Sequence, residues 1–158
     1  MSNDFSTLFK THLSEHQDAI AKLSAMHDQI APLADAWLTA LRTGKKIIFF
    51  GNGGSAADAQ HLAAELVVRY RINRPALAGI ALTTDTSIIT AHSNDFGFET
   101  LFSRQIEALA QPGDVAIGIS TSASCLPSDT STTPPPTSDR MFAASAMSSL
   151  LVPTTIMW

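Results

Sequence analysis

The chain has 158 residues, 45% of them hydrophobic, which is enough for one domain with a real core. Ten Lys and Arg against 14 Asp and Glu give a net charge of −4, and without a basic run we expect neither nucleic acid nor a membrane surface as a partner. One cysteine excludes an internal disulfide framework. The polar N-terminus does not resemble a signal peptide, and no apolar stretch is long enough to span a bilayer, so we expect a cytoplasmic protein.

The first part of the chain predicts two amphipathic helices. Apolar residues recur at helical spacing over residues 5–30, and the pattern resumes over residues 33–41. Pro32 separates the two patterns, so we expect a helix on each side of it. The second helix should end near Gly44, because glycine favours a helix stop.

The middle of the chain alternates between strand-like and helix-like patterns. This alternation predicts an α/β fold with a parallel sheet. Three strands are few for such a fold, so we expect a sheet truncated at its C-terminal side. The predicted strands are Ile47–Phe50, Leu77–Leu82 and Asp114–Ile119, and the predicted helices are Ser55–Tyr70, Thr86–His92 and Glu99–Ala110, with a turn at Asn94–Gly97.

The composition changes abruptly after residue 122. Residues 123–158 contain seven Ser, six Thr and five Pro but no Gly, Lys, Glu or His. Three consecutive prolines, Pro134–Pro136, are incompatible with a helix or a central strand. The sequence therefore predicts a domain over residues 1–122 and a poorly ordered tail over residues 123–158.

A glycine-rich turn follows the first predicted strand. Gly51-Asn52-Gly53-Gly54 precedes the helix that begins near Ser55. Glycines let a ligand approach the backbone, and a helix start favours anionic or polar oxygen groups. The spacing is neither the dinucleotide fingerprint nor a P-loop. Taken alone, the turn has a second interpretation as a tight connection that serves only packing.

Three hydroxyls follow the third predicted strand. Ser120, Thr121 and Ser122 together suit a phosphate group. The carboxyl ends of parallel strands share one edge, so this triplet and the glycine turn should face the same crevice. Ser/Thr clusters are also common in ordinary loops, which leaves the triplet weak as a signal by itself.

Two further polar pairs are candidates for a site. His61 and Glu65 are one helical turn apart, a spacing that suits a shared zinc ion. A solvated stripe with a weak Glu65–Arg69 ion pair explains the same pattern and is favoured when the helix is considered alone. Asn94 and Asp95 either form a plain turn or bind sugar hydroxyls.

Beyond single motifs, six blocks of sequence follow one known pattern in unbroken order: Gly51–Leu66, Arg69–Pro75, Ala81–Thr86, Asn94–Glu99, Phe102–Gln105 and Gly118–Ser122. These blocks resemble the phosphoheptose isomerases of the sugar isomerase (SIS) domain family, and the resemblance covers about residues 1–122. It implies a three-layer, flavodoxin-like α/β sandwich that forms a homotetramer with active sites between subunits. The implied reaction converts sedoheptulose 7-phosphate to D-glycero-D-manno-heptose 7-phosphate, a precursor of lipopolysaccharide.

The resemblance also assigns roles residue by residue. It implies that Glu65 is catalytic and carries a proton between two carbons, and that His61 and Glu65 bind zinc. Such a cation would polarise the carbonyl group of the sugar. The implied substrate contacts are Asn52, Gly53, Gly54, Glu65, Asn94 and Asp95, with Ser120, Thr121 and Ser122 on the phosphate.

The chain departs from the family after Ser122. The family continues with Gly-Asn-Ser, where this sequence has Ala123-Ser124-Cys125. The family's C-terminal helix supplies a Gln and a His that complete the zinc site, but here no Gln follows Gln111 and no His follows His92. We therefore expect impaired or lost activity. A shift of the reading frame in a full-length gene would explain the abrupt change in sequence. The alternatives are a non-catalytic SIS-fold binding protein, similar to the replication-initiator-associating protein, and a fragment without function.

Overall fold

The computed structural model describes residues 2–120 of the chain. Thr121, Ser122 and the tail predicted over residues 123–158 lie outside the described residues. The helices are α1 (Ser2–Ser24), α2 (His27–Arg42), α3 (Gly54–Val67), α4 (Thr86–Phe96) and α5 (Leu101–Leu109), and the strands are β1 (Ile47–Gly51), β2 (Gly79–Ala81) and β3 (Val115–Ile119).

The strands form a parallel sheet in the order β2-β1-β3, which confirms the predicted fold class. β1 is apolar along its length because it lies between two neighbours with helices on both faces. Its register with β3 runs from Ile47 opposite Val115 to Gly51 opposite Ile119. Both strands therefore end at the same edge of the sheet.

Helices cover the sheet on both sides, as expected for a three-layer sandwich. On one side Trp37 of α2 meets Phe49 edge to face, with ring centroids 5.5 Å apart. Ala59 and Ala63 of α3 join the same buried cluster. On the other side Phe102 of α5 packs against Phe50, with ring centroids 5.2 Å apart. The core thus lies directly above and below β1.

The predicted helix break at Pro32 is wrong. Pro32 lies inside α2, and the break falls at Ala25–Met26, six residues earlier. The amides of Ala25 and Met26 close a turn, and the Met26 carbonyl then accepts hydrogen bonds from Gln29 and Ile30 at the start of α2. A proline in the second turn of a helix removes one intrahelical hydrogen bond, and the apolar packing of α2 on the sheet keeps the helix continuous.

The predicted turn at Asn94–Gly97 is also wrong for its first residues. Asn94 and Asp95 lie in the last turn of α4, which continues to Phe96. The helix ends because Gly97 adopts φ +90°, a conformation that favours glycine. Its start agrees with the prediction, since Asp85 Oδ1 accepts a hydrogen bond from the Ile88 amide at 2.9 Å.

Four other predicted elements are shorter in the structure. α5 covers Leu101–Leu109 of the predicted helix 99–110, and β3 begins at Val115 rather than at Asp114. α3 ends at Val67 rather than at Tyr70, and β2 covers only Gly79–Ala81 of the predicted strand 77–82. Within residues 2–120, no helix combines the length and the hydropathy needed to cross a bilayer.

Candidate active site

The glycine turn joins β1 to α3 as the sequence predicts. β1 ends at Gly51 and α3 begins at Gly54, so Asn52 and Gly53 form the connection. Gly53 adopts φ +57°, which favours glycine. The Asn52 side chain is exposed, and no side chain caps the start of α3. The helix dipole therefore favours an anionic or polar group beside this turn.

A close backbone contact brings the two predicted loops together. A Cβ atom added at Gly51 would lie 2.7 Å from the Ile119 carbonyl oxygen and 2.9 Å from Ser55 Cβ. Only glycine leaves room for β1 and β3 to end this close together. Asn52 and the half-buried Ser120 therefore leave the sheet side by side, as the sequence predicts.

His61 and Glu65 form a pair on α3. His61 Nε2 lies 3.4 Å from Glu65 Oε1, with 74% of the His61 side chain and 28% of the Glu65 side chain exposed. Glu65 Oε2 is buried and has no hydrogen-bond partner among the described residues. Arg69, the partner of Glu65 in the solvated-stripe interpretation, instead donates to Asn73 Oδ1 at 2.6 Å. Glu65 is thus more buried than a solvated stripe would require, whereas His61 remains exposed.

The donor chemistry of this pair fits zinc in part. An imidazole nitrogen and a carboxylate oxygen are both common zinc ligands, and a buried carboxylate oxygen without a donor suits a cation. Within residues 2–120, no third His, Cys, Asp or Glu completes a group that could hold a metal ion. His61 and Glu65 would therefore supply two of the four ligands of a tetrahedral zinc site.

The two halves of the predicted site lie at opposite ends of α3. Glu65 is eleven residues beyond Gly54, so the two residues are separated by about 16 Å along the helix axis. Leu66 lies against Gly79 at the first residue of β2, where a Cβ on Gly79 would be 3.0 Å from Leu66 Cβ. The structure thus places Asn52 and Ser120 after neighbouring strand ends and pairs His61 with Glu65, but Glu65 lies at the other end of α3 from the glycine turn.

Asn94 and Asp95 form a third polar group. Asn94 Nδ2 donates to Asp95 Oδ1 at 2.8 Å, and both side chains are exposed at the end of α4. The neighbouring His92 is buried, with Nε2 2.9 Å from Thr100 Oγ1 and its ring 5.3 Å from that of Phe96. His92 thereby ties α4 to the start of α5, and Asn94 and Asp95 stay available to a ligand.

Sequence reasoning assigned no role to Arg74. Its guanidinium donates to the Glu65 carbonyl oxygen at 2.6 Å and to the Leu66 carbonyl oxygen at 2.8 Å. A signal for this contact was present, because α3 has no basic residue in its last turn and an arginine follows in the next loop. The residue that holds the Glu65 end of α3 thus comes from outside the helix.

Comparison with known proteins places these features in one family. The family model described as SIS domain matches residues 11–125. A phosphoheptose isomerase from Paramagnetospirillum magneticum is 59% identical over 121 residues, which cover 76% of this chain and 63% of that protein. One from Aquifex aeolicus is 65% identical over 94 residues, covering 60% of this chain and 49% of that protein.

Solved structures give the same result. Phosphoheptose isomerase GmhA from Neisseria gonorrhoeae is similar with a TM-score of 0.64 and 41% identity, over 77% of this chain and 61% of that one. A phosphoheptose isomerase from Francisella tularensis is similar with a TM-score of 0.67 and 33% identity, over 77% and 63%. The chain spans about half to three fifths of the length of these relatives. With a family match over more than half of its residues, the chain belongs to the SIS domain family.

Proposed function

We propose that this chain carries the active-site framework of a cytoplasmic sugar-phosphate isomerase, which converts sedoheptulose 7-phosphate to D-glycero-D-manno-heptose 7-phosphate for lipopolysaccharide synthesis. The observation that carries the proposal is the His61–Glu65 pair with its buried, unpartnered carboxylate oxygen. The similar proteins described above are named phosphoheptose isomerases, which supports this chemistry. Nothing among the described contacts favours the non-catalytic alternative.

The proposed mechanism is a proton transfer by Glu65. The carboxylate removes a proton from C1 of the ketose, the electron pair of that bond forms a C1–C2 double bond, and the C2 oxygen gains a proton. The enediol then loses its O1 proton, a carbonyl forms at C1, and Glu65 returns its proton to C2. Protons move between carbons and between oxygens, so no oxidant is needed. A buried carboxylate held beside an imidazole suits this acid–base role.

The substrate contacts in this proposal come from three loops or helix ends. Asn52, Gly53 and Gly54 contact the sugar phosphate beside the start of α3, where the helix dipole supports binding of an anion. The phosphate binds at Ser120, Thr121 and Ser122, of which Ser120 is the described residue. Asn94 and Asp95 offer exposed amide and carboxylate groups for the sugar hydroxyls.

Zinc is the proposed cofactor, held by His61 and Glu65. When bound, it would polarise the sugar carbonyl and so make the C1 proton easier to remove. The buried Oε2 of Glu65 supports this assignment. Because the sequence has no counterpart of the family's Gln and His ligands, we expect weaker metal binding and slower turnover than in an intact relative.

We also propose that the chain acts as a homo-oligomer, a tetramer as in the family. Nearly all side chains over residues 4–24 of α1 are exposed, including Phe5, Phe9 and Leu13 on one helical face. The separation of about 16 Å between Gly54 and Glu65 also favours a site completed by a second copy. We therefore propose that a second copy of this chain packs against the exposed face of α1.

An isomerisation assay tests the function. We expect the purified chain with added Zn²⁺ to convert sedoheptulose 7-phosphate slowly, and Glu65→Gln to lower kcat by at least roughly 100-fold because the proton carrier is lost. Glu107→Gln is the matched control, since Glu107 lies on the surface of α5 beside Arg104. Turnover that is absent from the wild type, or equal in Glu65→Gln, would contradict the proposal and favour a non-catalytic protein.

A further inference from the structure

The C-terminal end of α3 is closed by a residue from the following loop. The last carbonyl groups of a helix have no partner within the helix. Here the Ala64 carbonyl accepts from the Val68 amide at 2.8 Å, and the Leu66 carbonyl accepts from the Leu77 amide at 3.1 Å. The Glu65 carbonyl accepts from Arg74 Nη2 at 2.6 Å. Arg74 thus binds the backbone of the residue that carries the proposed catalytic carboxylate.

The Arg74 guanidinium binds two successive carbonyl groups of α3 through its two terminal nitrogens. Arg74 Nη2 binds the Glu65 carbonyl, while Nη1 binds the Leu66 carbonyl at 2.8 Å and the carbonyl of its own neighbour Pro75 at 3.0 Å. Two nitrogens of one rigid plane therefore fix two successive carbonyl groups. The last turn of α3 has no basic residue of its own, so Arg74 also supplies the positive charge that the negative end of the helix dipole favours.

We propose that Arg74 is a positioning residue for Glu65, an inference that rests on the proposed function. The Glu65 carboxylate has one oxygen 3.4 Å from His61 and the other buried without a donor among the described residues. No donor among residues 2–120 holds that buried oxygen, so its place depends on the His61 contact and on the backbone of this turn. By clamping that backbone, Arg74 keeps Oε2 buried and aims the carboxylate at the same point as the imidazole of His61.

The substitution Arg74→Lys tests whether the contact of two nitrogens with two carbonyl groups is needed, or only the positive charge. A lysine at position 74 keeps the positive charge but has a single nitrogen, so it cannot hold two carbonyl groups in one plane. If Arg74 positions Glu65, Arg74→Lys should weaken Zn²⁺ binding about tenfold, as removal of a residue that orients a metal ligand commonly does. It should lower kcat by a similar factor with little change in KM.

The experiment measures Zn²⁺ affinity by titration calorimetry on the full chain. Arg42→Lys is the matched control, because Arg42 also lies in the last turn of a helix but far from Glu65 in sequence. The decisive variant is the double mutant Arg74→Lys/Glu65→Gln. If Arg74 acts through Glu65, the lysine substitution should add nothing once the carboxylate is gone.

Each outcome separates this inference from the function on which it rests. Wild-type affinity and kcat in Arg74→Lys, or a tenfold loss that persists in the Glu65→Gln background, would overturn the role of Arg74. A wild-type chain with neither Zn²⁺ binding nor turnover would overturn the proposed function itself, and the inference with it. A tenfold loss in Arg74→Lys alone, at an unchanged Tm, would support both.

Discussion

Large apolar side chains are buried in the sheet but exposed on helix α1. Ile47, Ile48 and Phe49 in β1 are completely buried, whereas Phe5 and Phe9 in α1 are 75% and 58% exposed. Both segments are rich in large apolar side chains, but only those of the strand are covered by other residues in the described part of the chain. The difference indicates that residues 37–119 form the stable body, and it supports the proposed contact of α1 with a second copy.

Gly51→Ala should have the largest effect on the body. The added methyl group would lie 2.7 Å from the Ile119 carbonyl oxygen, a backbone atom that moves only if β1 and β3 separate. We expect the free energy of unfolding to fall by about 3 kcal/mol, the upper part of the range for overpacking. Urea denaturation followed by circular dichroism measures this change.

Gly54→Ala is the control for this substitution. A Cβ at Gly54 would meet nothing within 4 Å, so we expect a change within about 0.5 kcal/mol. Equal stability of Gly51→Ala and the wild type would show that the two strand ends are not held together as described.

Asp114→Asn should have a smaller effect, at the opposite edge of the sheet. Asp114 Oδ2 accepts from Lys46 Nζ at 2.6 Å and from the Gln111 amide at 2.7 Å, while Oδ1 accepts from the Lys46 amide at 2.9 Å. These bonds tie the start of β1 to the start of β3. Loss of the charge should lower the free energy of unfolding at pH 7 by about 2 kcal/mol.

The same carboxylate predicts a pH dependence. Burial acts to raise the pKa of Asp114, but the hydrogen bonds from Lys46 and Gln111 and the Lys46 charge outweigh it and hold the pKa below the ordinary 3.8. Because the folded pKa is the lower one, this stabilisation is present above pH 3.8 and is lost as the pH falls through the folded value. The difference in the free energy of unfolding between the wild type and Asp114→Asn should therefore disappear in acid. The control Asp35→Asn, at an exposed position, should have the stability of the wild type.

Phe9→Ser should change the stability of the body least, and it should reduce the assembly of the chain into oligomers. Phe9 lies on the exposed face of α1, so the folded single chain should change by less than about 0.5 kcal/mol. Because that face is the proposed contact with a second copy, sedimentation velocity should show a smaller species than the wild type. Lys10→Ser, on the same helix, should keep the wild-type mass. An unchanged mass for Phe9→Ser would remove α1 from the interface.

Periodicity predicted the elements of the fold but not all of their ends. The apolar run of β1 and the alternation that follows it predicted a parallel sheet, because a strand covered on both faces has no polar side. The helix break predicted at Pro32 was wrong, because the tertiary packing of α2 outweighs the one hydrogen bond that the proline removes. Asn94 and Asp95 suggested a turn by their residue types, although the helix continues until a glycine with positive φ.

The candidate site was predictable where it depends on spacing within one helix or on the shared edge of two parallel strands. The His61–Glu65 pair follows from one turn of helix, and the meeting of Asn52 with Ser120 follows from parallel strand ends. The distance of about 16 Å along α3 was equally derivable, because Glu65 lies eleven residues beyond Gly54 in one helix. The clamp by Arg74 depends on a contact between a loop and the end of α3, and it could not be derived in this way.

The contact between Gly51 and Ile119 has a consequence for ligand capture. With no gap between the two strand ends, Gly51 and Ile119 are held against each other, and neither strand end can shift without the other. A small anion arriving at the Gly51–Gly54 turn would therefore meet a backbone already in place, so little conformational entropy would be lost on binding there.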